Sequence, residues 1–66
     1  MNNIEVMQKA GTDNEGRECT VELLHGFNLV SVNCHYVYKM AEFSMTYSNE
    51  GDLKEARHQS GWFVRF

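Results

Sequence analysis

CTVELLHGFNLVSVNCHYVYKMAEFSMTYS, residues Cys19 to Ser48, reads as three β-strands that carry nearly all their apolar side chains on one face. Gly26-Phe27 marks the first turn, because glycine at the first central position of a two-residue loop meets the positive φ of a type II′ turn. His25 then faces Asn28, and the pairs Leu23–Val30, Val21–Val32 and Cys19–Cys34 follow on one face by the period of two. A second turn over Lys39-Met40-Ala41-Glu42 extends this face, with Tyr38 opposite Phe43, Tyr36 opposite Met45 and Cys34 opposite Tyr47. The other face is mostly polar: Thr20, Glu22, Ser31, Asn33, His35, Ser44, Thr46 and Ser48, with Leu24, Leu29 and Val37 as exceptions. One apolar and one polar face is the pattern of an antiparallel sheet buried on one side. A slip by one residue would expose the whole apolar set, so the register is strongly specified.

Outward from this stretch, Ile4 to Lys9 reads as a first strand and Ala10 to Arg17 (AGTDNEGR) as a polar turn that folds it back beside Glu18–His25. That register stays open; one choice sets Glu5 against Glu22, like charges face to face. Asn49 to Ser60 reads as a loop and one short helix. Asp52 sits at the N-cap with Glu55 three residues on, Arg57 and His58 occupy the last turn, and Gly61 fits the position just past the end. Leu53 and Ala56 are its main apolar residues, too few to cover a sheet face. Trp62 to Phe66 reads as a terminal strand, with Trp62, Val64 and Phe66 on one side and Phe63 and Arg65 on the other. The expected fold class is therefore α+β: an antiparallel sheet of four to five strands in ββββαβ order with one short helix, forming a single small domain over residues 1–66. The uncovered apolar face must be closed by strand curling, by the terminal strands or by another chain.

With 66 residues, a single domain buries only about 60% of its unfolded surface, so stability is marginal without a disulfide, a metal or a partner. The composition, 42% hydrophobic and 23% charged, is that of a folded protein. There is no apolar run of membrane-spanning length and no charged-then-apolar leader pattern, so a cytoplasmic protein with no membrane partner is expected. The net charge of −3 and the scattered Lys and Arg residues weigh against nucleic acid, whose affinity draws on clustered positive charge.

Cys19 and Cys34, facing each other in the expected register, lie within disulfide reach and form a candidate redox pair; reduced, buried thiols are the usual state in a cytosolic protein. A zinc site built from Cys19, His25, Cys34 and His35 fails on spacing, since Cys34 and His35 point to opposite faces and no metal-binding spacing occurs. His35 with Ser31, Thr46 and Glu22 is the one polar group with a catalytic look. Ser31 and His35 are about 13 Å apart along an extended strand, too far for a nucleophile and its base. No metal, cofactor or enzymatic activity is expected.

The aromatic residues match a core first, a protein interface second and a base-stacking platform last. The functional expectation is a small non-enzymatic protein-binding module that docks on a larger protein and modulates or inhibits it, a class that includes regulators made by phages and mobile elements. Trp62, Phe63, Arg65, Phe66 and Phe27 are the contact candidates, and a second copy of the chain is an alternative partner. The rival readings are a single-strand nucleic-acid binder and a thiol-dependent redox element.

Overall fold

The computed structural model describes residues 6–66. These residues form seven strands and no α-helix: β1 (Val6–Asp13), β2 (Glu18–Leu24), β3 (Leu29–Val32), β4 (Tyr36–Lys39), β5 (Phe43–Tyr47), β6 (Leu53–His58) and β7 (Phe63–Arg65), with one 3₁₀ turn at Met40–Glu42. All belong to one sheet in the order β4-β3-β2-β1-β7-β6-β5, with antiparallel neighbours throughout. The α+β expectation of four to five strands and a helix is thus replaced by a nearly all-sheet fold.

The ladder order forces the sheet to curl. β4 and β5 are its two edges, yet only Met40–Glu42 separates them along the chain. Four Cα steps span at most about 15 Å, whereas the edges of a flat seven-stranded sheet lie about 29 Å apart. The sheet therefore wraps around its apolar face, and curling is how that face is closed. Cys19, Val21, Leu23, Val30, Val32, Leu53 and Val64 form the buried cluster, with Tyr38, Met40, Phe43, Met45, Trp62 and Phe66 packed against it.

The first hairpin has the expected register: Leu23 pairs with Val30 and Val21 with Val32. Its loop differs, running over four residues between Leu24 and Leu29, with Asn28 in the left-handed region at φ 56°. The continuation past Val32 is corrected. Asn33 and Cys34 have φ of 54° and 60°, the paired positive values of a type I′ turn. The chain reverses there, so β4 pairs back on β3, with Tyr36 opposite Val32 and Tyr38 opposite Val30. Asn33 stabilises the reversal through β2: its N–H donates to Thr20 O (2.8 Å) and its Oδ1 accepts the Thr20 N–H (2.9 Å). Cys34 consequently leaves the position opposite Cys19, which pairs with Gly11.

The expected second hairpin is also corrected. Phe43 pairs with His58 and Met45 with Ala56, both on β6, although the Tyr38 and Phe43 rings still meet edge to face at 5.9 Å. The expected helix is β6. Between the pairs Thr46–Glu55 and Tyr47–Leu53 the register shifts by one residue on β6. Such a bulge adds a residue and turns a three-residue spacing into one face. Leu53 and Ala56 are both buried for this reason. The supposed N-cap region is the β5–β6 turn: Ser48 N–H donates to Asp52 O, Gly51 N–H donates to Ser48 O, and Ser48 Oγ accepts from the Glu50 and Asp52 amides.

At the amino-terminal side, β1 pairs with β2 as expected, Gln8 lying opposite Glu22; Ile4 and Glu5 lie outside the described residues. The turn is shorter than expected, because β1 runs on to Asp13. Asp13 Oδ1 accepts the amides of Glu15 and Arg17, both at 2.9 Å. β7 follows the expected alternation: Val64 is fully buried, while Arg57 and Arg65 lie over the Phe63 ring at 4.4 and 5.0 Å on the other side. Among the described residues no helix is long and apolar enough to cross a membrane.

Burial, and then the negative charge of Asp13, hold the Cys19 thiol above its ordinary value of 9.0. The native state therefore favours the protonated thiol. Its contribution to stability is intact below the unfolded-state value and is lost as pH rises through the native one. In a Cys34→Ser background, the urea midpoint should fall more steeply above about pH 9 with Cys19 present than in Cys19→Ala. Parallel pH profiles would contradict this.

Candidate functional site

Antiparallel order places the β1–β2, β3–β4 and β6–β7 turns at one end of the curl. There they surround a cleft of about 520 Å³. Cys19, Val32 and Val64 reach it from the core, Tyr36, Tyr38 and Trp62 form an aromatic wall, and Asp13, Glu15, Arg17 and Glu18 stand around the β1–β2 turn. Three carboxylates against one guanidinium leave the rim net negative. Arg17 is already engaged by Asp13 at 3.6 Å and by Glu15. Glu18 has no ion-pair partner among the described residues.

The wall is held rigidly. Tyr38 and Trp62 pack at 5.6 Å with their planes tilted by 56°. Trp62 stacks on His58 at 5.6 Å and 15°, and His58 lies 4.9 Å from Tyr38 and 5.0 Å from Phe43. Such aromatic pairs are each worth about 0.5–1.5 kcal/mol beyond area burial. This cluster links the side chains of β4, β5 and the β6–β7 turn on the inner side of the curl. Tyr36, by contrast, is 61% exposed and presents its ring to solvent.

Behind the wall, Ser60, His58 and Glu42 form a hydrogen-bonded chain. His58 Nδ1 lies 2.8 Å from Ser60 Oγ and Nε2 lies 3.0 Å from Glu42 Oε1. The Ser60 amide also donates to Nδ1 at 3.1 Å, which assigns the ring proton to Nε2 and directs it at Glu42. The order resembles a nucleophile, a base and an orienting carboxylate. However, the turn's backbone donors are already spent: Gln59 N–H on Glu42 O, Gly61 N–H on His58 O and Ser60 N–H on the ring. These three amides are therefore engaged and not free to hold an oxyanion. The chain is a clasp that ties the 3₁₀ turn to the β6–β7 turn.

Of the contact candidates, Trp62 alone lines the cleft. Phe66 packs against the core. Phe63 lies beneath Arg57 and Arg65, which both pair with Glu55 at 3.5 and 3.2 Å. Phe27 is 60% exposed on the β2–β3 loop, at the opposite end of β2 from the cleft. Cys19 is buried and Cys34 exposed, both as free thiols. Cys34 Sγ donates to Glu22 Oε1 at 3.5 Å. That hydrogen bond, followed by the Glu22 charge, pushes the Cys34 thiol up and makes it a poorer nucleophile. His35 sits on the β3–β4 turn and Thr46 on β5, so the polar group of Ser31, His35, Thr46 and Glu22 is not assembled on one face. Among the described residues no three His, Cys, Asp or Glu side chains gather as metal ligands. The residues missed by sequence reading are Asp13, Glu15, Glu18, Tyr36 and Tyr38 as one site. The acidic turn DNEGRE (Asp13–Glu18) was the available signal. No protein-family model, curated protein or solved structure matches this chain.

Proposed function

We propose that the protein is a small, non-enzymatic binding module whose working surface is the acid-rimmed aromatic cleft, and that it captures a cationic segment of a larger protein. The observation that carries this reading is the meeting of Tyr36, Tyr38 and Trp62 with Asp13, Glu15 and Glu18 around one opening. Aromatic faces attract ammonium and guanidinium groups, and carboxylates complete their recognition with charge-assisted hydrogen bonds. The same chain already uses this chemistry internally, where Arg57 and Arg65 lie over Phe63 and pair with Glu55. Binding modulates the partner by covering its basic residues. An excess of uncovered apolar surface no longer supports a partner, because the sheet curls over most of it. The charge and shape of the cleft take its place. The carboxylate rim also opposes a nucleic-acid backbone at the aromatic wall.

Trp62 is the only tryptophan and lines the cleft, so its emission reports occupancy. A peptide of alternating arginine and threonine should shift this emission at low salt, and the response should weaken as salt screens the rim. Glu18→Lys should lower the affinity by roughly tenfold or more, since it places a like charge against the ligand. An equal response to the glutamate counterpart of the peptide, or unchanged affinity in Glu18→Lys, would refute the reading.

A further inference from the structure

We infer that the partner segment binds as an added β-strand along the outer edge of β4, with alternate side chains directed into the cleft; this rests on the proposed cationic ligand and specifies how it is held. β4 pairs on one side only, with β3, and it ends the sheet. In an antiparallel ladder, alternate residues turn their N–H and C=O groups away from the neighbouring strand. Those of Tyr36–Lys39 meet no further strand, and none of the turn, loop or side-chain hydrogen bonds among the described residues engages this segment.

Folded proteins ordinarily protect such an edge with a bulge, a proline or several charges. The other edge is less regular: the β5 ladder shifts register between Thr46 and Tyr47, opposite the extra residue on β6. β4 (YVYK) has an unshifted ladder, no proline and a single charge, at Lys39. Val37 and Tyr36 are each 61% exposed along it. Tyr36 and Tyr38 belong to both features, the edge and the aromatic wall of the cleft. An extended segment on β4 thus presents every second side chain to Tyr36, Trp62 and Glu18, and the negative rim selects arginine or lysine at those positions. Backbone pairing supplies affinity and the cleft supplies specificity.

A second copy of the chain fits less well. It would join one four-residue edge to another and bring two chains of net charge −3 together, whereas stable interfaces bury about 1,200 Å² or more.

The test leaves the protein unaltered. The alternating arginine–threonine peptide is compared with two derivatives of identical sequence, N-methylated at the odd or at the even residues. Only one set of peptide amides faces β4, so one derivative should lose affinity at least tenfold while the other binds like the parent. Hydrogen exchange at Tyr36–Lys39 should slow when the parent is bound. If all three peptides bind equally and remain sensitive to Glu18→Lys, strand addition is wrong and the cleft reading stands. If none shifts Trp62 emission, the cleft reading itself fails and strand addition falls with it. A dimer by light scattering with β4 amides protected before peptide is added would make the occupant a second copy and overturn the inference.

Discussion

Gly11→Ala is expected to remove about a third or more of the protein's stability. A Cβ at this position would stand 2.6 Å from Arg65 O, 2.8 Å from Val64 Cγ1 and 2.9 Å from Phe66 Cδ1. Gly11 lies opposite Cys19 on β1, so its missing side chain falls on the core side. There β7 and its terminal phenylalanine fold close over β1. The side chains of Val64 and Phe66 could shift, but Arg65 O belongs to backbone paired with Thr12. Relief therefore requires separating β1 from β7, the junction between the two halves of the sheet. Overpacking of this kind costs about 1–3 kcal/mol and occasionally more. Contact with backbone puts Gly11→Ala at the upper end, about 3 kcal/mol. A domain of this size has a total stability of about 3–10 kcal/mol. Urea denaturation followed by Trp62 emission measures the loss directly. Gly16→Ala is a control, since nothing lies within 4 Å of its Cβ position but its φ is +80°; it should lose only about 1 kcal/mol. A loss in Gly11→Ala no larger than in Gly16→Ala would mean that β1 and β7 do not approach as described.

Breaking the clasp from one side should be the second large effect. Glu42→Leu removes the acceptor for the His58 ring proton, 3.0 Å away, while the ring remains held by three aromatic neighbours. A buried donor left without its partner costs about 1–3 kcal/mol. Adding His58→Phe removes the donor as well and keeps a ring against Tyr38, Phe43 and Trp62. The double variant should therefore recover much of the stability lost by Glu42→Leu alone, because exchanging both partners for apolar groups is far less costly than orphaning one. A double-mutant cycle reads this coupling. Additive losses in the cycle would show that Glu42 and His58 do not act together.

The pairs Leu23–Val30 and Val21–Val32 were legible because alternation and a short loop leave one register that sets the apolar side chains of both strands on the same buried face. The alternation of Trp62, Val64 and Phe66 against Phe63 and Arg65 was legible for the same local reason. The return at Asn33-Cys34 was not, since its apolar alternation continues through Val32, Cys34 and Tyr36 without a glycine. Only the pair of positive φ values and the contacts of Asn33 with Thr20 expose the turn. Leu53 and Ala56 imitate a helix through a three-residue spacing, and only pairing with β5 reveals the bulge that turns both inward.

The candidate site shows the same division. Its parts were visible in the chain as an acidic turn, a tyrosine pair and one tryptophan. Nothing local connects Glu18, Tyr36 and Trp62, because no element contains more than one of them. They meet because β4 and β5, the two ends of the sheet order, are held by three intervening residues and must curl toward each other. Alternation by itself determined how the first hairpin pairs and that Cys19, Val21, Leu23, Val30 and Val32 are buried, since both depend on neighbours in sequence; past Val32 it fails, and Cys34, Tyr36 and Tyr47, expected on the same face, are exposed. Tertiary structure decided the number of strands, the closure of the curl and the cleft at its end, since these depend on backbone pairings between segments far apart in the chain.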